Sequence, residues 1–94
     1  MKKSLYKIKR SSAFKRELKT VRKRGYNMDE LNKIVDDLAD GKPLDPKYRD
    51  HALVGNWKGY RECHITSDWL LIYKIEANVL ILTLQRTGTH SDLF

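Results

Sequence analysis

Three histidines, His51, His64 and His90, are the only imidazoles in this 94-residue chain. Imidazole is the side chain that gives or takes a proton near neutral pH. Asp50 adjoins the first of them, and Asp68 lies in the stretch that follows the second. Arg86 closes an apolar run and opens the tail Thr87-Gly88-Thr89-His90-Ser91-Asp92-Leu93-Phe94. Its planar guanidinium can hold two phosphate oxygens at once. Proton carriers beside such a cation suit work on a phosphodiester. RNA supplies its own nucleophile, the 2′-hydroxyl. A protein that cuts it needs a base for that proton, an acid for the 5′-leaving oxygen and a cation for the phosphorane. DNA has no 2′-hydroxyl and is not open to this route.

Other chemistries fit less well. Cys63 and the three histidines have the donor atoms for zinc, but no pair has local metal-ligand spacing. Adjacent Cys63 and His64 would point to opposite faces of a strand. A two-metal nuclease needs clustered carboxylates, whereas the acids here gather in residues 29–40. No nucleophile pairs with a base in recognisable triad form. No metal and no cofactor is therefore expected. Each candidate also has an ordinary structural use. His51 would satisfy a turn carbonyl, His64 would sit exposed on a strand, and Asp68 is a natural turn residue. Trp69, Tyr60 and Tyr73 serve a core as readily as a stacking surface, and Lys58 is one lysine among many. Cys63 reads as a small buried hydrophobe. Only convergence would make a site.

Convergence depends on the elements. Residues 5–10 alternate imperfectly and predict a strand. Ser11 or Ser12 then caps a helix whose Phe14, Leu18 and Val21 form a narrow apolar stripe, and Gly25 ends it. Asn27, with Glu30 three residues on, starts a second helix along Met28, Leu31, Ile34, Val35 and Leu38. Gly41 and Pro43 stop it. The short link predicts an antiparallel helical hairpin. After an irregular connector come strands at 51–55, 60–65, 69–75 and 79–86, joined by short turns. The apolar runs 69–73 and 79–84 suggest buried, central strands. The fold class expected is α+β: an N-terminal strand, the helical hairpin, then a mostly antiparallel sheet of three to four further strands. The helices would cover one face and leave the other open. On strand 60–65, Cys63 and Ile65 would face the helices with Arg61. Tyr60, Glu62 and His64 would line the open face. Leu80, Leu82, Leu84 and Arg86 would share a face, unless Arg86 leaves it at the strand end. The histidines, Asp50, Asp68 and Arg86 could then meet at one end of the sheet.

Composition narrows the partners. A chain of 94 residues has room for one core and one domain. It contains no apolar run of membrane-spanning length, and no apolar stretch follows the basic start, so no secretory signal is expected. The single cysteine fits a reducing cytosol. Residues 1–24 hold eleven Lys/Arg and one acid, Glu17, a net of +10 against +7 for the whole chain. A field this concentrated favours a polyanion or an acidic protein over a merely solvated helix face.

The segment Tyr48-Arg49-Asp50-His51, then Leu53, Gly55, Trp57 to Glu62, His64, Asp68-Trp69, Leu71 to Tyr73 and Arg86 to Phe94 closely resembles the YafQ branch of the RelE/ParE superfamily of bacterial type II toxins. The likeness covers the chain in length and element order, and is most specific from Tyr48 onward. It implies one RelE-like toxin domain over residues 1–94, acting as a ribosome-dependent endoribonuclease. Such an enzyme cuts A-site mRNA by 2′-hydroxyl attack without a metal, and a co-expressed antitoxin holds it inactive. It implies an active site of His51, His64, Asp68, Arg86 and His90, with Trp69 and Phe94 stacking a base and Lys58 and Tyr60 near the substrate. His90 would be the acid, and His64 or Asp68, with His51, the base. Lys15, Arg16, Lys19, Arg22, Lys23 and Arg24 of the first helix would meet ribosomal RNA phosphates. The partners implied are ribosome, mRNA and an acidic, partly helical antitoxin in the cytoplasm. Two other functions share the expected fold. A gyrase-directed toxin of the ParE type or an inactive basic nucleic-acid-binding module would need no proton-transfer groups.

Overall fold

The structure, a computed structural model, describes residues 4–94. Strand β1 (Lys7–Arg10) leads into α1 (Ser12–Lys23) and α2 (Met28–Ala39). Four further strands follow: β2 (His51–Ala52), β3 (Arg61–Thr66), β4 (Trp69–Glu76) and β5 (Ile81–Gly88). A short helix α3 (His90–Leu93) closes the chain. The sheet order is β1-β5-β4-β3-β2. Among the described residues, only the β1–β5 pair is parallel. The α+β class and the mostly antiparallel sheet are as expected.

Capping chemistry accounts for the helices. Ser11 is the N-cap of α1, its hydroxyl accepting from the Phe14 amide at 2.9 Å. The same hydroxyl donates to the Gln85 carbonyl at 2.6 Å, which pins the start of α1 to β5. Asn27 caps α2 by accepting from the Asp29 amide rather than through a box with Glu30. Phe14 and Val21 of α1 are buried with Leu31, Ile34, Val35 and Leu38 of α2 against Cys63, Ile65, Leu71, Tyr73, Leu82 and Leu84 of the sheet. The helix-facing assignment of Cys63 and Ile65 therefore holds. Burial pushes the Cys63 thiol up, well out of the range where it could ionise at neutral pH.

Several boundaries differ from expectation, each for a local reason. Strand β1 begins at Lys7 because the Tyr6 amide donates to the Ala39 carbonyl at the end of α2 instead of joining the ladder. Strand β2 is only His51–Ala52, because Gly55–Trp57 coils into a 3-10 turn. Val79 and Leu80 do not belong to a buried strand. They sit exposed in the turn before β5, where Leu80 takes a left-handed backbone (φ 55°) and its carbonyl accepts from Lys7. The face opposite the helices is not fully open either. Leu70, Ile72 and Leu93 form a second small cluster there, flanked by Leu53, Trp57 and Tyr60.

Candidate active site

Strand register decides which side chains meet. His51 pairs with Glu62, Glu62 with Ile72, and Ile72 with Arg86. Paired residues share a face, so this row crosses the side away from the helices, with Ile72 in the apolar floor. Arg86 belongs to this row because of a β-bulge. Tyr73 pairs with Leu84 and Ile72 with Arg86, leaving Gln85 unpaired. Leu82 and Leu84 face the helices, and the extra residue turns Arg86 to the opposite side. The expectation that Arg86 shares the face of those leucines is corrected accordingly: the strand does not end there, it bulges. Two strand spacings put the Glu62 and Arg86 backbones about 10 Å apart.

One end of the row holds two imidazoles on one carboxylate. Glu62 is 5% exposed, and its Oε1 lies 3.4 Å from His51 Nε2 and 3.8 Å from His64 Nε2. The two rings are 6.3 Å apart between centroids. His51 Nδ1 lies 2.8 Å from the Arg49 carbonyl, an acceptor, so this nitrogen carries the hydrogen. Arg49 aims that carbonyl from a left-handed backbone (φ 49°) that ends the 3-10 turn Pro46–Tyr48. Nε2 of His51 is then the ring nitrogen without a hydrogen, and it faces Glu62 Oε1. This is the orienting logic of a base held by a carbonyl and supported by an acid. Sequence reasoning placed Glu62 on this face but gave it no role. The signal was its i, i+2 relation to His64 within one strand.

The tail supplies the other end. Strand β5 runs on to Gly88, and Thr89 then caps α3 through a reciprocal capping box with Asp92. A Cβ at Gly88 would come within 2.9 Å of the Asp92 carboxylate, so the close return requires glycine. Four residues do not hold a helix by themselves. Leu93, buried against Leu70 and Ile72, contributes about 1.5–3 kcal/mol. Arg24 adds a two-pronged bond to Asp92 at 2.6 and 3.2 Å. His90 is thus brought to the β3–β4 turn, its amide 3.5 Å from Asp68 Oδ1. Its ring lies 5.1 Å from that of Phe94, and Phe94 lies 6.4 Å from Trp57.

Some expected site residues lie elsewhere. Trp69 is not a stacking surface. It is 2% exposed on the helix side, donating to Thr87 Oγ1 at 2.9 Å and meeting Tyr26 edge-on. The aromatic groups on the site face are Trp57, Tyr60 and Phe94. Tyr60 stands edge-on to Trp57 with Lys74 over its ring, and Lys58 is exposed beside Trp57. Asp50 is also withdrawn from the cluster. It accepts from Arg61 Nη2 at 3.2 Å and from the Tyr73 hydroxyl. Burial and this carboxylate push the Tyr73 phenol far above its ordinary value. Of the basic set on and after α1, Lys15, Arg16, Lys19, Arg22 and Lys23 are exposed, while Arg24 is committed to the tail.

The Arg24 contact gives the tail a pH signature. The guanidinium holds the Asp92 carboxyl well below the usual carboxylate range. A depressed folded value stabilises the docked tail above the unfolded value of about 3.9 and is lost as the pH falls below it. Amide protection over residues 90–93 is therefore expected to weaken progressively below about pH 4, while β4 keeps its protection. Asp92→Asn should loosen the same residues at neutral pH. Equal protection of the tail at pH 3 and pH 7 would contradict the assignment.

A five-stranded sheet with helices on one face, imidazoles and a carboxylate on the other, and an arginine at its β5 edge is a RelE-like architecture. The chain matches the family of YafQ bacterial toxins of type II toxin–antitoxin systems over residues 6–94, and it belongs to that family. It is 40% identical over 88 residues to the mRNA interferase toxin YafQ of Escherichia coli K12, covering 93% of this chain and 94% of that one. A metal-bound toxin from Helicobacter pylori superposes with a TM-score of 0.89 at 44% identity, over 95% and 99% of the two chains. The toxin of the E. coli DinJ–YafQ toxin–antitoxin complex superposes at 0.88 with 38% identity, over 96% and 98%. Among the described residues here, no three His, Cys, Asp or Glu side chains are grouped to hold a metal ion. No helix among the described residues is long and apolar enough to cross a membrane.

Proposed function

We propose that this chain is the mRNA interferase of a toxin–antitoxin pair, cutting mRNA in the ribosomal A site by attack of the 2′-hydroxyl. The row His51–Glu62–Ile72–Arg86, with His90 and Phe94 folded back beside it, carries this reading. It offers a base, an acid and a cation around an apolar floor. His51 takes the 2′-hydroxyl proton at Nε2, with His64 and Asp68 as neighbours that orient the nucleophile. His90 protonates the 5′-leaving oxygen, and Arg86 stabilises the phosphorane. Trp57, Tyr60 and Phe94 offer faces for a base, with Lys58 and Lys74 near the backbone. No step needs a metal, because the nucleophile belongs to the substrate.

The exposed cations of α1 dock on ribosomal RNA, and an acidic, partly helical antitoxin covers the basic surface when the toxin is silent. Both partners meet the chain in the cytoplasm. The deciding experiment translates a reporter message with and without the protein and maps new 5′ ends. Ends that arise only during translation, appear equally with protein stripped of metal by EDTA and desalted before the assay, and fade steeply with added salt are expected. Absence of translation-dependent ends would return the ParE-type binder or an inactive module to first place. Loss of cutting by the stripped protein, restored when a transition metal is added back, would overturn the metal-free route, and a flat salt response would overturn the docking role of α1.

A further inference from the structure

Glu17 is the only acid among the first 24 residues, and it is not spent on solvent. Strand β1 pairs with β5 only as far as Leu84, so among the described residues no strand covers the β5 edge beyond that point. Helix α1 passes there and places Glu17 on it. Glu17 Oε1 accepts from the Thr87 amide at 3.2 Å. Its two oxygens also receive Arg86 Nε at 2.8 and 2.9 Å, and Oε2 receives Nη2 at 2.6 Å. The Arg86 side chain is 26% exposed and that of Glu17 20%. The pair is thus partly sheltered, and it holds the guanidinium firmly in its charged form.

The geometry of the fork gives this pair a meaning. A guanidinium has two edges that each present a parallel pair of N–H groups to an oxyanion. Glu17 occupies the Nε/Nη2 edge. Nη1 has no hydrogen-bond partner among the described residues, so the Nη1/Nη2 edge stays available for a second anion. An arginine side chain left alone would sample many rotamers across its four flexible torsions. Held by Glu17, it has one orientation and one free edge.

We infer that Glu17 is the positioning residue for Arg86, fixing the guanidinium from the α1 side so that its remaining edge meets the scissile phosphate. The inference rests on the nuclease reading above and deepens it. It also gives α1 two duties on one helix: outward cations that dock the toxin, and an acid that sets the group stabilising the transition state.

Glu17→Gln separates this role from a structural one. The amide oxygen can still accept from Thr87, so the β5 edge stays capped, but the paired charge is lost and an N–H₂ faces the guanidinium. Single-turnover cleavage on programmed ribosomes should fall by about 10–10²-fold, the cost of misplacing a group by about an ångström. The ribosome concentration for half-maximal rate and the melting temperature should stay near wild type. In an Arg86→Ala background, itself slow, Glu17→Gln should cause no further loss. A Glu17→Gln rate equal to or above wild type, beside a slow Arg86→Ala, overturns the positioning role and leaves the nuclease reading standing. Equal losses in both backgrounds also overturn it, showing a role independent of Arg86. A wild-type chain that leaves the message intact removes both ideas together.

Discussion

Replacing His90 by alanine is expected to slow cleavage on the ribosome by about 10²–10⁴-fold, the usual contribution of a positioned proton donor. The ring is exposed and its one ring contact is with Phe94, so the sheet and the α1 surface should be undisturbed. Melting temperature and antitoxin binding are therefore expected to stay close to wild type. The acid assignment has a sharper consequence. A message carrying a 5′-bridging sulfur at the cleavage site has a leaving group that needs no proton. On that substrate the His90→Ala protein should recover most of its lost rate. If the deficit is the same on both substrates, His90 acts otherwise than as the acid, by packing Phe94 or by binding the phosphate. A wild-type rate for His90→Ala on the natural message would remove it from the chemistry altogether.

What was legible in the chain follows the physics of each signal. Caps, glycine stops and apolar periodicity are local, and they placed both helices and the succession of strands along the chain. The alternation of β3 correctly sent Cys63 and Ile65 to the helices and Glu62 and His64 to the other side. The β-bulge beside Gln85 was not legible, because an extra residue in a ladder needs no particular side chain, yet it decides where Arg86 points. The choice between the two tryptophans was likewise hidden. Trp69 is buried because Thr87, eighteen positions away, accepts its indole N–H, and nothing near either residue announces that bond. Arg86 and Glu17 stand 69 positions apart, so their ion pair exists only once α1 lies along β5. The exposed Val79 and Leu80 misled for a different reason: apolarity marks a strand only where something covers it.

The second large effect is expected at Glu62. A carboxylate at 5% exposure is costly to keep unless its charge is matched. Its neighbours among the ion pairs are His51 and His64, each able to carry a positive charge when it takes up a proton. Glu62 therefore brings both rings to one oxygen, on the face where Ile72 forms the floor. Glu62→Ala is expected to lower single-turnover cleavage by about 10²-fold, because it removes the orienting group of the base along with its charge. Glu62→Gln, of the same size, should recover the packing but only part of the rate. If Glu62 works through His51, then Glu62→Ala combined with His51→Ala should be no slower than the worse of the two alone, since groups that act as a unit are not additive. Fully multiplicative losses would mean that Glu62 and His51 serve separate steps. In that case His64, the other ring on the same oxygen, becomes the base to which Glu62 belongs.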